Sequence, residues 1–179
     1  VRVWDPTAGT TRQILVAEGE PSVLATDGTW PVSAGDDKKA RVWDPATGTT
    51  RQTRAGHTRE VRALVVAPDG SWLASADVGG QVRVWDTATG AVRHTLTGHT
   101  REVRALAVAP DGSWLVSADI DGEVRVWDST TAAPLTSLRV AGSLFHLSLL
   151  TLTTIAAAGE FGPYFLTLTL HQMASPEKL

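Results

Sequence analysis

The apolar positions of this chain fall in short runs, each ended by a turn signal, and the runs recur. Val61 to Ala67 is nearly continuous apolar, the pattern of a strand buried on both faces. Pro68-Asp69-Gly70 interrupts it. Pro presets φ, Asp can bond its own backbone and Gly accepts positive φ, so a tight turn is expected. Trp72 to Ala76 gives a second strand, Asp77 to Gly80 a second turn and Gln81 to Trp85 a third strand. Asp86-Thr87-Ala88-Thr89-Gly90 then turns the chain into Ala91 to Leu96, the fourth. No stretch sustains a helical period. The expected class is therefore all-β, with consecutive four-stranded antiparallel sheets.

The same order of strands and turns returns along the chain. Trp4, Trp43, Trp85 and Trp127 are each followed by Asp, and Trp30, Trp72 and Trp114 form a second series ahead of them. The period is about 42 residues, in the range of repeat architectures whose unit is one small sheet. The string from Gly56 to Leu64 is identical to that from Gly98 to Leu106, which implies duplication of one structural unit. A stack of near-identical sheets points to a binding surface before it points to an active site.

The Gly-His pairs (Gly56-His57, Gly98-His99), the Pro-Asp-Gly turns and the Val-Arg-Val-Trp-Asp endings make residues 1–138 resemble the WD40-repeat family. The resemblance implies a β-propeller, here a partial one of about four blades arranged as an open arc. Its divisions are 1–19 (second half of a blade), 20–56 (a degenerate blade), 57–97 and 98–140 (blades) and 141–179 (a degenerate last blade and tail). In the last of these, Ser143 to Leu150, Thr153 to Ala158 and Pro163 to Leu170 are expected strands, with a turn at Phe161-Gly162.

The resemblance also implies a structural hydrogen-bond network joining the Gly-His histidine, a Ser of the second strand, the Trp of the third and an Asp in the turn before it. In the third full repeat these are His99, Ser117, Asp121 and Trp127. The middle repeat has His57, Ser75 and Trp85, with Gly79 where the Asp is expected and Asp77 two residues earlier as a substitute. The first full repeat has Ser33, Asp37 and Trp43, but Glu20 follows Gly19 in place of His. That repeat is also shorter, by a deletion before Trp30. The likeness extends to the sensor regions of bacterial multidomain signalling proteins. The opening at Val1-Arg2-Val3-Trp4-Asp5 lies in mid-motif, so further blades or an effector domain are expected upstream, and the location expected is cytoplasmic.

Composition narrows the function. The chain has 179 residues, is 42% apolar and 20% charged, and carries a formal net charge of -3. That is a globular composition with no basic excess to suggest nucleic acid or an anionic membrane. There is no cysteine, which removes disulfides and cysteine metal sites. Val140 to Gly159 lacks full charges, but it holds His146 and several Ser and Thr, and the period makes it a degenerate sheet rather than a membrane span. No P-loop, His-Glu-x-x-His or Gly-x-Ser-x-Gly string is present, and no catalytic group, cofactor or metal site is expected.

Several groups invite a functional reading. His57 and His99 with their Ser partners resemble parts of a triad, but the trio repeats with each sheet whereas catalysis needs it once, so bracing is expected. Asp36-Asp37-Lys38-Lys39 reads as a solvated turn, because the lysines compete for the carboxylates. His94 is expected in an exposed outer strand, and His146 as a satisfied core residue. Trp30, Trp72 and Trp114 are expected to pack between blades. Arg59, Glu60 and Arg62, one repeat from Arg101, Glu102 and Arg104, lie where each chain segment enters an innermost strand. They are the candidate protein-binding groups, since Arg can pair bidentately and stack. The alternative is that they pair with neighbouring blades and solvate the rim. The function expected is a non-catalytic scaffold or sensor that binds a protein or peptide. Its rivals are a propeller enzyme with a site in the central channel and a purely structural spacer.

Overall fold

The computed structural model describes residues 2–4, 11–14, 21–26, 30–149, 151 and 154–167. Strands β1 (Arg2–Trp4) and β2 (Thr11–Ile14) form a two-stranded antiparallel sheet. Three four-stranded sheets follow in simple up-and-down order. The first contains β3 (Pro21–Thr26), β4 (Pro31–Gly35), β5 (Lys39–Trp43) and β6 (Thr50–Ala55). The second contains β7 (Val61–Val66), β8 (Trp72–Asp77), β9 (Val82–Asp86) and β10 (Val92–Leu96), and the third contains β11 (Val103–Val108), β12 (Trp114–Asp119), β13 (Glu123–Asp128) and β14 (Pro134–Arg139). The last sheet has three strands, β15 (Leu144–Leu149), β16 (Thr154–Gly159) and β17 (Gly162–Thr167). No helix occurs among the described residues, and none is long and apolar enough to cross a membrane.

The fold is all-β, with consecutive antiparallel sheets that do not close into a barrel, a partial propeller arc. Expected strands Ser143–Leu150, Thr153–Ala158 and Pro163–Leu170 reach beyond the described residues at Leu150, at Thr153 and after Thr167. The tail to residue 179 and the Gly19-Glu20 pair lie outside them too. In the first sheet Leu24 faces Ser33, whereas Leu64 faces Ser75 in the second. The turn between β3 and β4 is thus two residues shorter, nine positions against eleven, and accounts for part of the short first repeat.

The core lies between sheets. Side chains alternate across each strand, so the middle strands serve two neighbours, and every residue of β8 and β12 is buried. Between the first and second sheets, Val32, Ala34 and Val42 meet Leu64, Leu73 and Trp85. Between the second and third, Ala74, Ala76 and Val84 meet Leu106, Leu115 and Trp127. Small residues on one face accept large ones from the next. Each buried Trp is a major anchor, and its truncation to Ala costs about 3–5 kcal/mol.

Aspartates set the turns. In the turn after β7, the Asp69 carboxylate accepts the Ser71 amide at 3.0 Å. In the turn after β9, Asp86 accepts the Thr89 amide at 2.8 Å and the Thr89 hydroxyl at 2.9 Å; the Thr89 amide first, then Arg93 and the Thr89 hydroxyl, hold its carboxyl well below the usual range. The turn at the end of β8 also touches the next sheet. Gly80 has φ 86°, and a Cβ there would lie 2.6 Å from the His99 carbonyl oxygen and 2.9 Å from that of Arg101. Only Gly permits this approach of backbone to backbone.

Candidate functional site

The buried polar groups come first, because they resemble a catalytic trio. His57 Nδ1 lies 2.8 Å from Asp77 Oδ2, and its Nε2 lies 2.7 Å from Ser75 Oγ. Trp85 Nε1–H donates to the same Ser75 oxygen at 2.7 Å. The third sheet repeats this with His99, Asp119 (2.9 Å), Ser117 (2.7 Å) and Trp127 (2.9 Å). Asp77 Oδ1 accepts the Gly79 and Gln81 amides, and Asp119 Oδ1 those of Asp121 and Glu123. Each carboxylate therefore closes its own turn while holding the histidine.

Electrostatics fix the direction of this chain. Burial, the largest influence on Asp77, opposes its charge. The hydrogen bonds from His57 and from the Gln81 and Gly79 amides outweigh it, and the carboxyl is held below its ordinary value. An ionised carboxylate only accepts, so His57 donates from Nδ1 and accepts the Ser75 hydroxyl at Nε2. Burial pushes the His99 imidazole below its ordinary value, against the pull of Asp119, so this ring is neutral and follows the same order. Donation runs from Trp to Ser to His to Asp, with every group satisfied. Ser75 and Ser117 are 0% exposed and each is capped by an indole, so no substrate reaches either hydroxyl. These trios brace their sheets.

The structure corrects two members, Asp121 and Asp37. Asp119, not Asp121, holds His99; Asp121 stands 42% exposed with Arg101 Nε at 3.5 Å. Asp119 ends β12 two residues after Ser117, so the period of the strand puts both on one face. In the middle sheet Asp77 fills the same place and Gly79 matches Asp121. Asp37 stands at that outer position as well. It pairs with Arg41 at 2.5 Å and accepts the Lys39 amide, while Ser33 accepts from Trp43 at 2.8 Å. The chain held a signal for this. Asp77 and Asp119 recur where Gly-His is present, and Gly35 replaces them in the repeat that lacks it.

His99 Nδ1 and the carboxylates of Asp119 and Glu123 also lie within 4.8 Å of one another, close enough to surround a cation. The equivalent of Glu123 in the second sheet is Gln81, and the brace there has the same geometry. The trio is accounted for by bracing.

The candidate binding groups gather round the inner strands. Register shifts between Val61 and Ala63, between Val103 and Ala105 and between Leu144 and His146 make Arg62, Arg104 and Phe145 bulged residues. A bulge re-aims its side chain. These three, with Leu24 and His146, line a central cavity of about 320 Å³ walled by β3, β7, β11 and β15. Leu24 and Phe145 are 52% and 49% exposed. Arg62 pairs with Glu60 at 3.0 Å and with Glu102 of the next sheet at 3.8 Å. Arg104 pairs with Glu102 at 2.8 Å and lies over the Phe145 ring at 5.4 Å. Arg59 lies along Gly79. Glu60, Arg62, Glu102 and Arg104 are thus linked by ion pairs, of which Arg62–Glu102 runs between sheets, while Arg101 pairs with Asp121 within its own sheet.

Sequence reasoning missed the apolar contribution of Leu24 and Phe145; the bulge that aims Phe145 leaves no mark in the apolar pattern. His146 is exposed in this cavity rather than buried in the core, since it falls on the channel side of β15. His94 is half-buried between the second and third sheets rather than exposed. Trp72 and Trp114 are buried between sheets. Trp30 is half-buried, with Arg51 over its ring at 4.3 Å.

Residues 48–86 and 90–128 each match the family model described as WD domain, G-beta repeat, and these two repeats support a WD40-repeat family. No curated protein matches it. WD40 repeats generally mediate protein–protein interaction and scaffolding, and their domains are typically non-catalytic. Each matched segment begins by the outer strand of one sheet and ends on the third strand of the next.

Proposed function

We propose that the chain is a non-catalytic scaffold or sensor module that binds a protein or peptide partner across the mouth of the central cavity. Arg59, Glu60, Arg62, Arg101, Glu102 and Arg104 form its contact rim. The observation that carries this reading is the pair of bulges that aim Arg62 and Arg104, each 41% exposed, at one mouth flanked by exposed Leu24 and Phe145. A cation repeated on adjacent sheets suits an extended partner that makes several weak contacts at once. Glu102 holds both guanidinium groups in place, and an acidic partner segment competes with it. A net charge of -3 supports a protein partner over nucleic acid or a membrane surface.

The test is co-purification of a partner with the chain, followed by binding measurements on variants. Arg62→Ala or Arg104→Ala should each weaken binding several-fold, and the double variant more than either. The pair Arg59→Ala with Arg101→Ala should behave likewise. Binding should weaken as salt rises, because rim charges act chiefly on association rate. A partner indifferent to both arginine pairs and to salt moves the site to another face. Turnover of a small substrate would favour an enzyme.

A further inference from the structure

The clefts between adjacent sheets are built from equivalent positions, yet two of them differ. Between the second and third sheets there is no room even for a water molecule. Between the first and second there is an open cavity of about 190 Å³, walled by Trp30, Val32, Val42, Val66 and Leu73. Register identifies the cause. Leu96 faces Val82 and His94 faces Val84 in the second sheet, where Arg54 faces Ala40 and Gln52 faces Val42 in the first. Leu96 is buried and, with His94, fills its cleft. Arg54 instead reaches to the neighbouring sheet, donating from Nη2 to the Thr87 carbonyl at 3.2 Å, and Gln52 donates to that of Ala88 at 3.4 Å. Both leave the cleft vacant.

The bulged arginines differ as well. Arg93 is tied to Asp86 at 2.6 and 3.0 Å and to the Ser71 carbonyl at 2.9 Å. Arg51, its equivalent, makes no ion pair among the described residues and stacks on Trp30. Asp44, where Asp86 would be, accepts the Ala46 and Thr47 amides through Oδ1 and attracts Arg51 only by charge, without a close ion pair. An exposed guanidinium with no close ion pair among the described residues thus stands at the lip of a Trp-walled cavity. The cavity is too small for a drug-sized ligand or a cofactor, which needs about 300 Å³ or more. It suits one side chain.

We propose that this cleft is a second binding site, which takes one apolar side chain, aromatic by the match to its Trp wall, from a peptide segment whose adjacent carboxylate pairs with Arg51. The site is independent of the rim. It is lined by Gly70, Thr87 and Ala88, which belong to the turns after β7 and β9, at the opposite end of the sheets from the loops that carry Arg59 and Arg101.

The probe is N-acetyl-L-phenylalanine, which joins an aromatic ring to a carboxylate, compared with its amide, which lacks the charge. Each is titrated into the full chain while the tryptophan indole N–H signals are followed by NMR, with Trp30 assigned from Trp30→Phe. The acid should shift the Trp30 signal saturably, with a midpoint on the order of millimolar. The Trp72 and Trp114 signals should stay in place. The amide should bind about tenfold more weakly, and Arg51→Ala should erase that difference. Arg54→Leu with Gln52→His installs the residues that fill the second cleft and should abolish the shift; its remaining indole signals report that the fold persists. The proposal is overturned if Trp30 does not move, if acid and amide bind alike, or if Trp72 and Trp114 move with it.

Discussion

Replacing Asp119 by Ala separates the two aspartates that the turn after β12 offers. The Asp119 carboxylate receives three hydrogen bonds: His99 Nδ1–H at 2.9 Å and the Asp121 and Glu123 amides at 2.9 and 3.0 Å. Loss of a bond to a charged group costs about 1.5–3 kcal/mol, and the stranded, buried His99 N–H falls within that cost. The two amides lie at a partly exposed turn where water replaces the carboxylate, at about 0.5–1 kcal/mol each. The total expected is about 2.5–5 kcal/mol, centred near 3–4. Asp121→Ala removes only an exposed pair with Arg101, worth about 0–1 kcal/mol. In urea, with a slope of about 2 kcal/mol per molar, Asp119→Ala should lower the unfolding midpoint by about 1.5–2 M, and Asp121→Ala by less than about 0.5 M. Tryptophan fluorescence reports the transition. If the two variants unfold together, or Asp121→Ala unfolds at the lower urea concentration, the assignment of Asp119 to the brace is refuted.

Gly80→Ala and Gly112→Ala both force Ala into positive φ, but only the first also drives Cβ into the backbone of the next sheet; at Gly112 the nearest atom is Pro68 Cδ at 4.0 Å. Gly112→Ala should cost about 1–2 kcal/mol and Gly80→Ala clearly more, as read by thermal unfolding; equal losses would remove the inter-sheet contact from the account. The folded His99 has a pKa below its ordinary 6.5, so the unfolded chain binds the extra proton. Stability is full above about pH 6.5 and falls as pH drops through that value toward the folded pKa. His99→Asn should flatten this slope in urea titrations from pH 7.5 to 5.5, and an unchanged slope would refute it. Asp77, whose folded pKa is lowered, adds stability above about pH 4 that is lost in more acid solution, so Asp77→Asn should unfold with a shallower acid limb.

The strands and turns were legible because two signals coincide: apolar runs set β7 and β8, and Pro68-Asp69-Gly70 separates them. The tryptophan spacing carried that reading from sheet to sheet. The brace was legible as to His99, Ser117 and Trp127, but Asp119 and Asp121 differ only by one step of the strand period, and turn chemistry alone accepts either. The inner rim was legible as charge and not as shape, since a bulge at Phe145 depends on pairing with β16 rather than on local preference. The open cleft was hidden for a related reason. Arg54 and Leu96 are both acceptable in an outer strand, and only their neighbours on the next sheet decide whether space is left.

The extent of the brace has a consequence for how such a chain can change in length. His57, Ser75, Asp77 and Trp85 all fall within residues 48–86, and His99, Ser117, Asp119 and Trp127 within 90–128. A gene segment copied over either interval brings a whole brace with it. It also carries β6 or β10, the outer strand of the sheet before, so the copy is stitched to its predecessor as it arrives. Unequal crossing-over between the identical strings at 56–64 and 98–106 would therefore add or delete one complete unit with its brace. Sheet number is then a quantity that recombination can alter in single steps that leave every brace whole.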